Sequence, residues 1–202
     1  MGSQEDDWTK YNGKGNVYND PKFPATSQMI AWKSAGQRSN ISLWTRIKDM
    51  YGNTSKTPSL WGDKGVLPTG IKQGSVGDCW FLSAASALAE HPDRIKRLFE
   101  NKEYSEEGIY KIHFFFSGRP TTIVIDDRLP ARGRTSYSYP WALSRSANNA
   151  WWGPILEKAY AKFNVNYSNI NGGWMLEAFR DMAHMPGFSY WIRSWGNANS
   201  KR

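Results

Sequence analysis

The stretch CWFLSAASALA, Cys79 to Ala89, is apolar or small at every position, which predicts a helix buried on all sides rather than an amphipathic surface helix. Pro92 closes it. Two β-rich runs follow, Tyr110 to Phe116 and Thr121 to Ile125, joined by Ser117-Gly118-Arg119-Pro120, the pattern of a hairpin. The segment Trp152 to Phe163 opens with Gly153-Pro154, where a missing N–H costs nothing, and continues as ILEKAYAKF, so it predicts a second helix. Beyond Asn171-Gly172-Gly173, the run WMLEAFRDM (Trp174 to Met182) carries apolar residues at helical spacing and predicts a third. Leu60 to Val76 are punctuated by Gly62, Gly65, Pro68, Gly70 and Gly74, which keeps the backbone irregular up to the start of the first helix. Before residue 57 the chain is rich in Asn, Gly, Ser, Lys and Asp, with one helical stretch at Ile41 to Met50. Residues 1–56 therefore read as an N-terminal extension or loosely attached arm, and residues 57–202 as the folded unit, mainly helical with a small β-hairpin, in the α+β class.

Composition narrows the function classes. At 202 residues, 40% hydrophobic and 22% charged, the chain can bury a core and is not disordered. No apolar run approaches the ~18 residues of a membrane span, and the first thirty residues lack the basic start and apolar stretch of a secretory signal. One cysteine excludes an internal disulfide, and a free thiol is easiest to keep in a reducing compartment, so a cytoplasmic protein is expected. The net charge of +8 raises the question of an acidic partner. Its basic residues are dispersed, however, and the densest stretch, Arg128 to Arg145, reads as a solvated loop among Ser, Tyr, Pro and Gly. Nucleic acid is not an expected partner.

The candidate chemistry centres on Gln73-Gly74-Ser75-Val76-Gly77-Asp78-Cys79-Trp80. A glycine-punctuated loop delivers Cys79 to the first turn of a helix, where unpaired N–H groups and the positive end of the helix dipole favour a thiolate and can hold an oxyanion. Gln73 stands where a side-chain N–H can join that oxyanion site. The competing reading is a cysteine that simply packs a core. A thiol protease also needs a base. His91 lies twelve residues beyond Cys79, roughly 18 Å along a helix axis. His113 falls on the more polar face of a predicted strand, and His184 in an Ala-His-Met-Pro turn; neither context marks a base. No closely spaced His or Cys pattern suits a transition metal. The adjacent Asp126 and Asp127 end a strand and point to opposite faces, so a structural role is preferred to a carboxylate dyad.

Four ordered blocks, QGSVGDCWFLSA, VIDDRLP, WWGPILEKAYAKF and NGGW, together resemble the first, cysteine-bearing subdomain of the calpain protease core, a half of a papain-like cysteine protease fold. The resemblance covers roughly residues 60 to 190. It implies that Cys79 attacks the scissile carbonyl of a protein or peptide substrate, with Gln73 beside the Cys79 N–H in the oxyanion hole. It also implies that Gly172 and Gly173 let a substrate backbone run close, although for Gly172 a helix-linking turn remains open. The family's catalytic histidine and asparagine lie on a second subdomain, more than a hundred residues beyond the cysteine. That C-terminal half of the core is expected to be absent from this chain, which alone is expected to be inactive.

Calpain cores also bind calcium in this subdomain through two loop carbonyls and two carboxylates. Aligned on Cys79 and Trp152, the carbonyls fall near Asp63 and Gly65, and the carboxylates become Gly70 and Ala150. Calcium needs six to eight oxygens and depends on carboxylates, so no cofactor is expected beyond a weak calcium site with Asp63 and Gly65 as its candidates. The alternative function, from a different class, is a non-catalytic interaction module that uses a basic, aromatic surface to bind acidic partners. Retention of Cys79 and Gln73 favours the protease half.

Overall fold

The computed structural model describes residues 10, 11, 13, 15–31, 43–51, 55–131 and 148–190. Four helices and four strands are used below: β1 (Leu43–Arg46), α1 (Cys79–Leu88), α2 (Pro92–Lys96), β2 (Ile109–Phe116), β3 (Arg119–Asp126), β4 (Arg128–Ala131), α3 (Trp152–Phe163) and α4 (Met175–Ala183). The chain is α+β, with two separate two-stranded antiparallel sheets, β1 with β4 and β2 with β3. The three predicted helices and the hairpin all form, within a residue or two of the expected ends.

β2 and β3 pair from Ile109 with Asp126 to Phe116 with Arg119. The connection is therefore two residues, not four. Ser117 and Gly118 both have positive φ, 48° and 79°, as the tightest hairpin turns require, and glycine takes the more extreme value without strain. One face of β2 presents Tyr110, Ile112 and Phe114 to the core, all 0% exposed. Phe114 meets Tyr160 and Phe163 of α3 at 5.5 Å between ring centroids.

Helix α1 packs against α4, α2 and α3 through Phe81, Leu82, Ala84, Ala85 and Leu88. Phe81 stacks on Tyr160 at 4.1 Å. The expectation of burial on all sides is corrected: Cys79, Ser83 and Ala87, spaced four apart, form an exposed stripe. Small residues are compatible with either environment, so their hydropathy does not reveal this open side. Pro92 occupies the first turn of α2, where its missing N–H is harmless, and α1 ends before it at Leu88.

The segment before residue 57 differs most from expectation. Ile41 to Met50 is not a helix; residues 41 and 42 lie outside the described ones, and the rest is β1 followed by a 3-10 turn, Lys48–Tyr51. β1 pairs with β4, Thr45 opposite Leu129 and Arg46 opposite Arg128, so a distant partner overrides the local pattern. Nor are the described parts of 1–56 loosely attached. Tyr18, Phe23, Ile30, Ile47 and Met50 are buried with the core.

A buried charge network fastens this segment. Lys158 Nζ, on the inner face of α3, donates to the Asp126 carboxylate and to the carbonyls of Asp126 and Arg128. Asp126 also accepts from Arg128 and from the N–H of Asp20. Lys162 Nζ reaches both oxygens of Asp20, at 2.9 and 2.7 Å. Trp44 and Phe23 lie 5.5 and 5.9 Å from Lys158 Nζ by their ring centres. Burial pushes the Asp126 carboxyl up, but Lys158 and Arg128 more than reverse this and hold it below the usual range. Asp127 turns the other way, to the Arg46 guanidinium, so the two aspartates take separate structural roles. Arg128, expected in a solvated loop, opens β4; residues 132–145 of that stretch are outside the described ones.

Candidate active site

Cys79 is the first residue of α1 and is exposed. The Asp78 carbonyl accepts from the N–H groups of Phe81 and Leu82 at 2.9 and 3.0 Å, which starts the helix and leaves the N–H groups of its first residues without an intrahelical acceptor. A thiol and free amides thus share one helix end. That arrangement suits attack on a carbonyl followed by capture of the resulting oxyanion.

Two loops frame this point. The Gly77 N–H donates to Asn171 Oδ1 at 3.0 Å, and the Gly172 N–H donates to the Gly77 carbonyl at 2.8 Å. A Cβ on Gly77 would stand 2.2 Å from that Asn171 oxygen, so only glycine fits the clasp. Trp80 Nε1 donates to the Ile170 carbonyl at 3.0 Å, and its ring lies against Gly173, where a Cβ would come within 2.4 to 2.8 Å of ring atoms. Gly172 is different: φ is +84° and nothing lies within 4 Å of its missing side chain. The sequence points to both glycines, but Gly173 is required by Trp80, and Gly172 alone has an open side. A cavity of about 430 Å³ adjoins Trp80 and Gly172, with Tyr160, Glu177 and Asp181 along its lining.

Gln73 lies on the same approach loop, and its Nε2 donates to the Val76 carbonyl at 2.9 Å. One amide hydrogen is spent on shaping the loop; the second remains. Asp78 departs from the usual habit of an N-cap aspartate, since its side chain makes no capping bond. It is fully buried and meets Glu157 of α3; burial pushes its carboxyl up to about 6, against the hydrogen bond with Glu157. Asn171, Trp80 and Glu157 escape a motif search aimed at nucleophile and base. The glycine before Asp78 and the asparagine before Gly172 were the available signals.

The histidines do not join this group. His91 is the N-cap of α2 and exposed. His113 hydrogen bonds Thr122 at 3.0 Å through Nδ1 and lies 3.5 Å from Glu100. It lines a groove with Leu88 and Met182, and Leu88 is nine residues along α1 from the thiol, ~13 Å by helical rise. His184 caps α4 with φ +52° and stacks near Phe115 at 5.0 Å.

Asp63, Gly65, Gly70 and Ala150 stand at the positions that the resemblance aligns with the family's calcium loop. Asp63 Oδ1 already accepts from Asn149 Nδ2 at 3.2 Å. Gly70 is buried, where a Cβ would stand 3.7 Å from the Trp152 indole nitrogen, and Ala150 is 1% exposed. Neither supplies a side-chain oxygen, and among the described residues no group of three or more His, Cys, Asp or Glu could hold a metal. No helix among the described residues is long and apolar enough to cross a membrane.

Comparison with known proteins agrees with the four-block resemblance. The family model described as calpain family cysteine protease matches residues 18–199, which takes in β1 and the buried N-terminal segment as well as the cysteine loop. Human Calpain-14 is 35% identical over 171 residues, 83% of this chain and 24% of that protein. Human Calpain-12 is 30% identical over 89% of this chain and 24% of its own length. The calpain-type cysteine protease DEK1 of Arabidopsis thaliana is 33% identical over 88% of this chain and 8% of its own. The chain thus spans at most about a quarter of these relatives. With its matched span, its ordered blocks and the exposed cysteine at the head of α1, the chain belongs to the calpain family of cysteine proteases.

Proposed function

We propose that this chain is the cysteine-bearing half of a papain-like, intracellular calpain-type endopeptidase core, and that Cys79 is its nucleophile. The observation that carries the reading is the exposed thiol at the first turn of α1, framed by the approach loop and the Asn171-Gly172 loop. Cys79 Sγ would attack the scissile carbonyl carbon, and the oxyanion would take hydrogen bonds from the Cys79 N–H and the second N–H of Gln73. The base that accepts the thiol proton, and returns it to the leaving amine, would come from a second subdomain. Gly172 would offer its open side to an extended substrate. The large exposed side chains of Trp174, Phe188 and Tyr190 favour further protein against this part of the surface. Calcium would bind only weakly, since Gly70 and Ala150 stand at the carboxylate positions.

The test is hydrolysis of a fluorogenic peptide by the full-length protein that contains this chain, by its Cys79→Ala variant and by the 202-residue chain alone. Turnover by the full-length protein alone, abolished by the substitution, is the expected result. A full-length protein with an intact thiol and no turnover would favour the non-catalytic interaction module. Turnover by the isolated chain would place the base among its own residues.

A further inference from the structure

The outer edge of β2 is only partly paired. In an antiparallel hairpin closed by a two-residue turn, the backbone groups of alternate residues face the partner strand and the others face away. The β2–β3 register makes Lys111, His113 and Phe115 the residues that face away from β3. The segment after α2 meets the first two: the Glu100 N–H donates to the Lys111 carbonyl at 3.0 Å, and the His113 N–H donates to the Leu98 carbonyl at 2.7 Å. Pairing stops there because the chain before Leu98 is helical, and the Leu98 N–H donates to Ile95 at 3.0 Å instead of returning to His113. The His113 carbonyl and both backbone groups of Phe115 are left at an open edge, where nothing among the described residues hydrogen bonds them.

That edge borders a groove of about 590 Å³, whose apolar wall includes Leu98, Phe115, Met182 and Met185. Methionine adapts its shape to what packs on it, and Met185 is exposed. Arg94 and Arg97 of α2 line the same groove. Both are exposed, and neither side chain makes an ion pair or hydrogen bond among the described residues. Asp93 on the same helix pairs with neither, and Glu100 turns to Lys111 and His113. An open strand edge, an apolar wall and two unpaired guanidinium groups together suit an extended chain that carries apolar side chains and carboxylates. A lone acyl chain has no N–H or C=O to give that edge. A second copy of this chain, at +8, would bring like charge to the arginines.

We propose that this groove docks an extended peptide segment of a partner protein, acidic and apolar by turns, which adds as a strand along Phe115 and sets carboxylates against Arg94 and Arg97. The site is separate from Cys79, since Leu88 on its wall lies nine residues along α1 from the thiol, ~13 Å by helical rise. It does not depend on the peptidase reading.

The test titrates the 202-residue chain into a fluorescein-labelled octapeptide of alternating leucine and glutamate and follows anisotropy. Saturable binding is expected, with none for the same peptide carrying lysine in place of glutamate. An exposed ion pair contributes up to about fivefold in affinity, so reversing both charges in Arg94→Glu/Arg97→Glu should weaken the glutamate peptide by about tenfold or more and admit the lysine peptide. Two N-methylated glutamate peptides, each blocked along one edge, read the strand pairing in the wild type alone, so this arm stands even if the double variant fails to fold. One should lose binding and the other keep it. Equal binding of both charge types, an unchanged affinity in a folded double variant, or equal behaviour of the two N-methylated peptides overturns the proposal. Cys79→Ala should bind as the wild type does; a loss there would move the peptide to the thiol and overturn the separate site. Binding of dodecanoate with no binding of any peptide would give the groove to an acyl chain, and self-association lost in the double variant would give it to a second copy; either overturns the peptide.

Discussion

Replacing Lys158 by Met tests the charge network that fastens the N-terminal segment. The ammonium is fully buried and serves three acceptors, the Asp126 carboxylate and two backbone carbonyls. Removing one partner of a buried ion pair costs about 3–5 kcal/mol, because the other charge stays buried. Asp126 keeps Arg128 and the Asp20 N–H, and burial itself works against the Lys158 charge, so the lower end, about 3 kcal/mol, is expected. That is a large share of the 5–15 kcal/mol typical of a folded domain. The pH dependence follows from Asp126. Its folded carboxyl is held below the usual range, so it contributes stability above the unfolded value of about 3.9 that is lost as pH falls through the folded value. Without Lys158 the carboxyl would rise, and the deficit of the variant should shrink as pH falls toward 4. Urea unfolding followed by tryptophan fluorescence at pH 7 and pH 4 measures both quantities. A cost under about 1 kcal/mol at pH 7, or an equal deficit at both pH values, would refute the reasoning.

Two further outcomes are expected. Gly173→Ala should displace Trp80, since the new methyl would come within 2.4 to 2.8 Å of its ring; about 1–3 kcal/mol of stability should be lost in urea unfolding, with a shifted tryptophan emission, and an unchanged spectrum would count against the close contact. Millimolar calcium should leave the thermal midpoint of this chain unchanged, because one carboxylate, already hydrogen bonded to Asn149, is all that Asp63 offers; a rise in the midpoint would show that other oxygens bind the ion.

What the sequence reveals here is what short-range periodicity encodes. Helices α1, α3 and α4 and the hairpin each announce themselves within a dozen residues, and the cysteine at the head of α1 follows from its own loop. β1 does not, because it exists only through β4, whose Leu129 lies opposite Thr45. The inward side of α3 is equally hard to read: nothing in the run ILEKAYAKF names the distant groups that Glu157 and Lys158 meet, Asp78 on the cysteine loop and Asp126 at the end of β3. The open side of α1 is hidden because cysteine, serine and alanine suit exposure and burial alike. Gly173 is legible as a glycine and not as the floor beneath an indole ring.

The clasp between Gly77 and Asn171 has a consequence in time. The two residues are 94 apart in the chain, whereas α1 is made of neighbours. During synthesis, which releases the N-terminal part first, the Cys79 thiol leaves the ribosome on its helix well before the loop that frames it has been made. Assembly of the surroundings of Cys79 is therefore a late event, completed only once α3 and the glycine turn behind it have arrived. A chain built in this way carries its own delay between making a thiol and framing it.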